Sequence, residues 1–165
     1  MGRLPHWARD TTDPASPGRT IRRATAEDAP AIGSLYLASR ADALPGLHNA
    51  HTDDEVRAWI AQVLSARAKV WIAERDGTML GFIALHDGWV EQLYLAPGCY
   101  RQGIGTALLA IAKHHSPNEL RLFCFQRNSR ARAFYEANGF TAVRFSDGSD
   151  DEEREPDVEY LWAGA

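Results

Sequence analysis

The 165-residue sequence has only two cysteines, Cys99 and Cys124, too few and too scattered for a disulfide framework or a cysteine zinc site. Both are expected to be free thiols. No apolar run approaches the roughly 18 residues of a membrane-spanning helix. Nor does the N-terminus hold the continuous apolar stretch of a secretory signal. A cationic excess is also missing. Eighteen Lys and Arg against 22 Asp and Glu leave a net charge of −4, which argues against a general nucleic-acid binder. His48 and His51 stand three apart, but no carboxylate or cysteine completes a metal set with them. These absences point to a cytoplasmic protein with no metal, no membrane and no nucleic acid among its partners.

What is present is ordinary for a globular chain: 45% hydrophobic and 24% charged residues, enough for one domain with a real core. Residues 1–19 carry Pro5, Pro14, Pro17, Gly2 and Gly18 without any sustained period, which predicts a flexible extension ahead of a single domain over 20–165. A first strand is expected over 20–25. Asp28 and Pro30 then open a helix with Ile32, Leu35 and Tyr36 on its apolar face. Thr52 and Glu55 form a capping-box pattern before a second helix with Val56, Trp59, Ile60, Val63 and Leu64 as its stripe. Three strands follow, over 69–74, 79–85 and 89–95, joined at Asp76-Gly77 and Asp87-Gly88, the residue pairs of tight hairpins. Later strands are expected over 120–125, 140–145 and 158–162, with the acidic loop 147–157 between the last two. The order β-α-α-β-β-β-α-β-α-β-β describes a mixed α/β fold.

Two segments carry the chemistry. Tyr100-Arg101-Gln102-Gly103-Ile104-Gly105-Thr106 follows a strand and enters a helix whose apolar face is Ile104, Ala107, Leu108, Ile111 and Ala112. Glycines lacking Cβ let a ligand approach the main chain. A helix start supplies unpaired N–H groups and partial positive charge, which suit a phosphate. A third glycine three residues on would make a dinucleotide fingerprint, but Leu108 stands there, and the Gly-Lys-Ser/Thr of a P-loop is absent. The second segment runs from Asn128 to Phe140. Asn128 or Ser129 can cap a short helix, Gly139 suits its C-terminal end, and Phe140 would fold back on Phe134 or Tyr135. Asn128 and Tyr135 are two helical turns apart and share a face.

Together these segments resemble the GNAT superfamily of acetyl-CoA-dependent N-acetyltransferases. The first matches the family's Q/R-x-x-G-x-G/A pyrophosphate loop, with Tyr100 where the family prefers Gln or Arg and Arg101 beside it. The second matches N-x-x-x-x-x-F-Y-x-x-x-G-F. The resemblance covers roughly residues 20–162. It implies a mixed, mostly antiparallel central sheet of about seven strands with flanking helices. It also implies acetyl-CoA as cosubstrate and a primary amine of a small molecule as acceptor. A protein lysine or N-terminus is the second reading and a CoA-binding module without turnover the third, and a homodimer is left open.

The resemblance also assigns sites. Arg101, Gln102, Gly103, Ile104, Gly105 and Thr106 would hold the pyrophosphate. Main-chain groups of Leu93, Tyr94 and Leu95 would hold the thioester carbonyl, and Asn128 the pantetheine arm. Tyr135 would protonate the departing thiolate, since a phenol stays protonated at pH 7. From strand parity with Leu93 and Leu95, and not from the resemblance, Glu91 is the candidate base, with a bound water relaying to Glu91, His86 or Asp87 as another route. GNAT enzymes acting on ribosomal protein N-termini carry a glutamate five residues before the helix asparagine; here that residue is Phe123. The connection 44–52, with Trp59 beyond it, would line the acceptor. The acidic run 150–155 is expected to be solvated, or to attract a cationic acceptor.

Overall fold

A computed structural model describes residues 11–12, 18–47, 51–66 and 69–165. His48 of the sequence analysis lies outside these residues. Of the expected N-terminal extension, only Thr11–Thr12, Gly18 and Arg19 fall within them. Thr11–Thr12 (β1) pairs with Arg19–Arg23 (β2). Helices Ala29–Ala43 (α1) and Asp53–Ala66 (α2) follow, then strands Lys69–Arg75 (β3), Thr78–His86 (β4) and Trp89–Leu95 (β5). Ile104–His115 (α3), Leu120–Phe125 (β6), Ser129–Ala137 (α4), Thr141–Ser146 (β7) and Asp157–Trp162 (β8) complete the chain. The order of elements from β2 onward is the one expected. Seven strands of five or more residues, together with the short β1, make one mostly antiparallel sheet ordered β1-β2-β3-β4-β5-β6-β8-β7.

Local chemistry sets these elements. Asp76 and Gly77 (φ 52° and 78°) and Asp87 and Gly88 (φ 47° and 80°) are consecutive left-handed pairs, the turn whose twist matches a hairpin. The capping box forms at α2: Thr52 N–H donates to Glu55 Oε2 at 2.8 Å, and Glu55 N–H donates to Thr52 Oγ1 at 3.2 Å. At α4 the Ala131 N–H donates to Asn128 Oδ1 at 3.2 Å, and Gly139 takes φ 90° just past the end.

The sheet is buried on both faces, giving three layers. On one face α1 and α2 cover Val70, Ile72, Phe82 and Ala84 with Ile32, Leu35, Tyr36 and Ile60. On the other, α3 and α4 cover Ile83, Leu85, Leu122 and Val158 with Ile104, Leu108, Ile111 and Tyr135.

Two irregularities interrupt the sheet at the same place. Ala84 pairs with Gln92 but Leu85 pairs with Val90, so Glu91 is the extra residue of a β-bulge. Beside it, β5 and β6 are parallel and meet through one register pair, Trp89 with Arg121. Beyond that pair the two strands part, and the sheet opens as a wedge.

Candidate active site

The wedge is a cleft of about 740 Å³ walled by β5, the loop entering α3, residues 123–125 of β6, α4 and α1. With the β5–β6 ladder ended at Trp89, the main-chain groups of β5 on that edge have no strand partner and are free for a ligand. Glu91, Leu93, Tyr94 and Leu95 all line this wall. The parity expected for Glu91 is altered by the bulge. Val90 and Leu93, three residues apart, both pack into the α3–α4 core, so Glu91 is displaced from the regular alternation.

At the other wall α3 begins at Ile104 behind Gly103, whose φ is 78°. The first helical bond runs from Ala107 N–H to Gly103 O at 3.0 Å, so the preceding N–H groups have no acceptor within the helix. Arg101, Gly103, Ile104, Gly105 and Thr106 line the cleft; Gln102 does not. Its side chain donates to Gly98 O at 3.4 Å, and its own carbonyl accepts from Arg19. The two glycines serve different needs from the shared one expected. A Cβ on Gly103 would meet nothing closer than Arg19 Nη2 at 3.9 Å, so glycine is required there by the left-handed backbone. A Cβ on Gly105 would lie 2.8 Å from Phe134 Cζ, so this glycine lets α3 approach α4.

Arg19 and Arg130, near this wall, escaped the sequence reading, and Tyr100 figured in it only as a departure from the family's loop. Arg19 is 3% exposed and donates from Nη1 to Gln102 O at 2.8 Å, tying β2 to the loop. Nothing in the sequence connects residues 83 apart. Tyr100 Oη is buried without a hydrogen-bond partner among the described residues, and the Arg130 guanidinium lies 4.1 Å from the Tyr100 ring centroid. Both residues line the cleft. An orphaned hydroxyl and two arginines, Arg101 and Arg130, beside a helix N-terminus fit a phosphorylated ligand.

Tyr135 lies between these walls, 8% exposed, with Phe134, Phe140 and Tyr160 at centroid distances of 5.3, 5.8 and 6.1 Å. No described residue hydrogen-bonds its Oη. Burial pushes its phenol above the ordinary value, with Cys124 and Tyr94 adding to the rise. Tyr135 is thus held as a neutral phenol. The neighbouring Cys124 thiol is pushed up to about 12, again by burial first. Asn128 also lines the cleft while its side-chain oxygen caps α4. His86 and Asp87 pair with each other at 3.1 Å in the β4–β5 turn and do not line the cleft.

A second cavity, about 760 Å³, continues from the first on the α1–α2 side. Tyr36, Arg40, Leu44, Gln92 and Glu153 line both. Trp59, Val56, Leu47 and His51 form its outer part. The acidic run is folded onto this chamber. Glu152 contacts His51 Nε2 at 2.7 Å, and Glu153 contacts Arg40 Nη2 at 3.4 Å. At the root of the loop, burial and a hydrogen bond with Asp151 push the Asp157 carboxyl up to about 6.

Known proteins resemble this chain in sequence and in fold. The model of the acetyltransferase (GNAT) family matches residues 34–140. The peptidyl-lysine N-acetyltransferase YiaC of Escherichia coli (strain K12) is 33% identical over 124 residues, 74% of this chain and 84% of that protein. Phosphinothricin N-acetyltransferase of Alcaligenes faecalis is 32% identical over 100 residues, 54% of this chain and 51% of that protein. The PaiA N-acetyltransferase from Thermoplasma acidophilum, solved in complex with coenzyme A, superposes with a TM-score of 0.65. It is 23% identical and covers 88% of this chain and 98% of that one. The matched span holds the bulged strand, the loop into α3 and the α4 helix with Tyr135, and on that ground the chain belongs to the acetyltransferase (GNAT) family and is an N-acetyltransferase.

Proposed function

We propose that the protein transfers the acetyl group of acetyl-CoA to the primary amine of a small molecule by direct attack on the thioester. The observation that carries this reading is the continuity of the two chambers. One has a helix N-terminus and an unpaired strand edge, suited to a pyrophosphate and an amide-bearing arm. It opens into a second, walled by Trp59, Tyr36 and carboxylates, suited to an amine with an apolar body.

The residues divide the work accordingly. N–H groups at the start of α3, with Arg101, receive the pyrophosphate. The β5 edge at 93–95 orients the thioester carbonyl; a donor aimed at the developing oxyanion typically contributes about 3–4 kcal/mol. Asn128 meets the arm, and Tyr135 supplies the proton to the departing thiolate. Glu91, the base that strand parity suggested, stands at the bulge on the cleft wall, but a second carboxylate is better placed to take the amine proton. Free thiols at Cys99 and Cys124 suit a reducing, cytoplasmic setting.

A lysine side chain of a protein is the second acceptor, favoured by the name of the YiaC relative. The test is thiol release from acetyl-CoA with spermidine, phenethylamine, L-phenylalanine and a lysine peptide. Turnover of one of the first three above the peptide supports the proposal. Preference for the peptide assigns the second reading, and acetyl-CoA binding with no release from any amine would mean a binding module.

A further inference from the structure

Resting on the acetyl-transfer reading, we infer that Glu153 takes the proton from the acceptor ammonium, held for that task by Arg40. Two of its properties single it out. Among the described residues, Glu153 is the one carboxylate that lines both chambers; Glu91 and Asp157 line only the cleft, and Asp53, Glu55 and Glu152 only the outer cavity. It is also lightly engaged. Its Oε1 meets Arg40 Nη2 at 3.4 Å, and its Oε2 has no hydrogen-bond partner among the described residues. The other acids near it are committed: Glu152 to His51 at 2.7 Å, Glu55 to Thr52 N–H at 2.8 Å, and Asp157 to Asp151.

Arg40 acts as a positioning residue. Its side chain is 14% exposed, its Nη1 donates to Tyr36 Oη, and its guanidinium lies over the rings of Tyr36 and Phe125, at 5.2 and 5.8 Å. A planar cation clamped in this way fixes one carboxylate oxygen and leaves the other for a ligand. The charged and titratable groups facing Glu153 are Arg40 and Tyr36 on α1, Tyr94 on β5, Asp157 on β8, and Asp151 and Glu152 in its own loop. Arg40 is the one cation among them, and His51 at the outer mouth is paired with Glu152, so carboxylates outnumber cations along the chamber an arriving ammonium enters.

The step balances as follows. The ammonium gives one proton to Glu153, and its freed lone pair forms the N–C bond to the thioester carbon. The nitrogen sheds its second proton as the C–S bond breaks, and the thiolate takes the Tyr135 proton. The second amine proton restores Tyr135, and Glu153 releases its own to solvent, so one proton leaves overall.

The decisive comparison is Glu153→Gln across pH 6–10, with whichever of the four amines is turned over fastest. Glutamine keeps an oxygen for Arg40 but accepts no proton. We expect kcat/KM for the amine to fall about 10²–10³-fold at pH 7, the usual cost of losing a general base. The deficit should shrink toward pH 10, where the acceptor supplies its own free amine, while acetyl-CoA affinity stays within twofold. A deficit below about threefold at pH 7, or one constant over the pH range, overturns the inference. So does a pH-dependent loss in Glu91→Gln in place of Glu153→Gln. Glu153→Asp, which retains the base on a shorter arm, should lose less and keep the wild-type profile. If the Gln variant fails to fold, an Asp variant with a glutamine-like profile refutes the assignment. Wild-type protein inert toward every amine would instead refute the acetyl-transfer reading itself.

Discussion

Replacing Tyr135 by Phe separates catalysis from packing unusually well, because the structure sets the stability cost close to zero. The Tyr135 ring is 8% exposed and bracketed by Phe134, Phe140 and Tyr160, and all those ring contacts survive in Phe. Its hydroxyl bonds no described residue, so no partner is left orphaned when it goes. The ordinary penalty of about 1–3 kcal/mol for stranding a buried partner therefore does not apply. The expected change is within about 0.5 kcal/mol, or about 2 °C in Tm at this chain length. Affinity for acetyl-CoA by calorimetry should stay within about twofold, since the hydroxyl acts only once negative charge appears on sulfur.

Kinetics should respond in the opposite way. The Tyr135 hydroxyl faces the cleft with no hydrogen-bond partner among the described residues, so in the proposed reaction it is placed to protonate the departing sulfur. Burial raises the phenol, so it holds its proton throughout the neutral range. Loss of a general acid costs about 10²–10⁴-fold. A thiolate is a competent leaving group, so kcat and kcat/KM should fall together by about 10²-fold, read as thiol release in steady state. A Phe variant with kcat within about threefold of wild type would refute the donor role. A Tm drop above 5 °C would refute the packing argument.

Three other perturbations follow from the same geometry. Gly105→Ala puts a Cβ 2.8 Å from Phe134 Cζ. Overpacking of about 1–3 kcal/mol exceeds the roughly 1 kcal/mol gain in helix propensity, so urea unfolding should show a net loss of about 1 kcal/mol. Phe134→Leu in the same chain should relieve that loss, and additive effects would refute the contact. Arg19→Met removes the bond to Gln102 O and should weaken acetyl-CoA binding about tenfold, near the worth of a charged hydrogen bond, while leaving pantetheine, which lacks the pyrophosphate, unaffected. Equal losses for both ligands would deny Arg19 a role at the pyrophosphate loop. Finally, hydrogen bonding from Arg22 brings the Asp28 carboxyl down to about 2. A carboxyl depressed in the fold stabilises above its unfolded value near 4, and that gain, about 1 kcal/mol for a part-exposed pair, disappears as pH falls from 4 to 2. Tm against pH should be flatter over that window in Asp28→Asn; an unchanged slope would rule the pair out as its source.

Sequence alone determined the features that depend on near neighbours in the chain. The Thr52–Glu55 box, the Asp-Gly turns, the start of α3 behind Gly103 and the Asn128 cap all lie where local chemistry places them, because each needs only residues within about four positions. The element order followed from the same signals, and the two motifs were sufficient to bring the family into view. What the tertiary structure decided is everything that joins distant segments. The bulge at Glu91 depends on how β4 and β5 fall into register, which alternation within one strand does not encode. Gly105 reads as a ligand glycine until Phe134 occupies the space of its absent Cβ. The buried Arg19 reaches across 83 residues to the loop carbonyl, and Glu153 leaves an acidic run that reads as solvated surface to stand beside Arg40. Charge and polarity patterns describe solvation along the chain. Only packing determines which charges lose their water, and it is there that a carboxylate or a guanidinium acquires a chemical role.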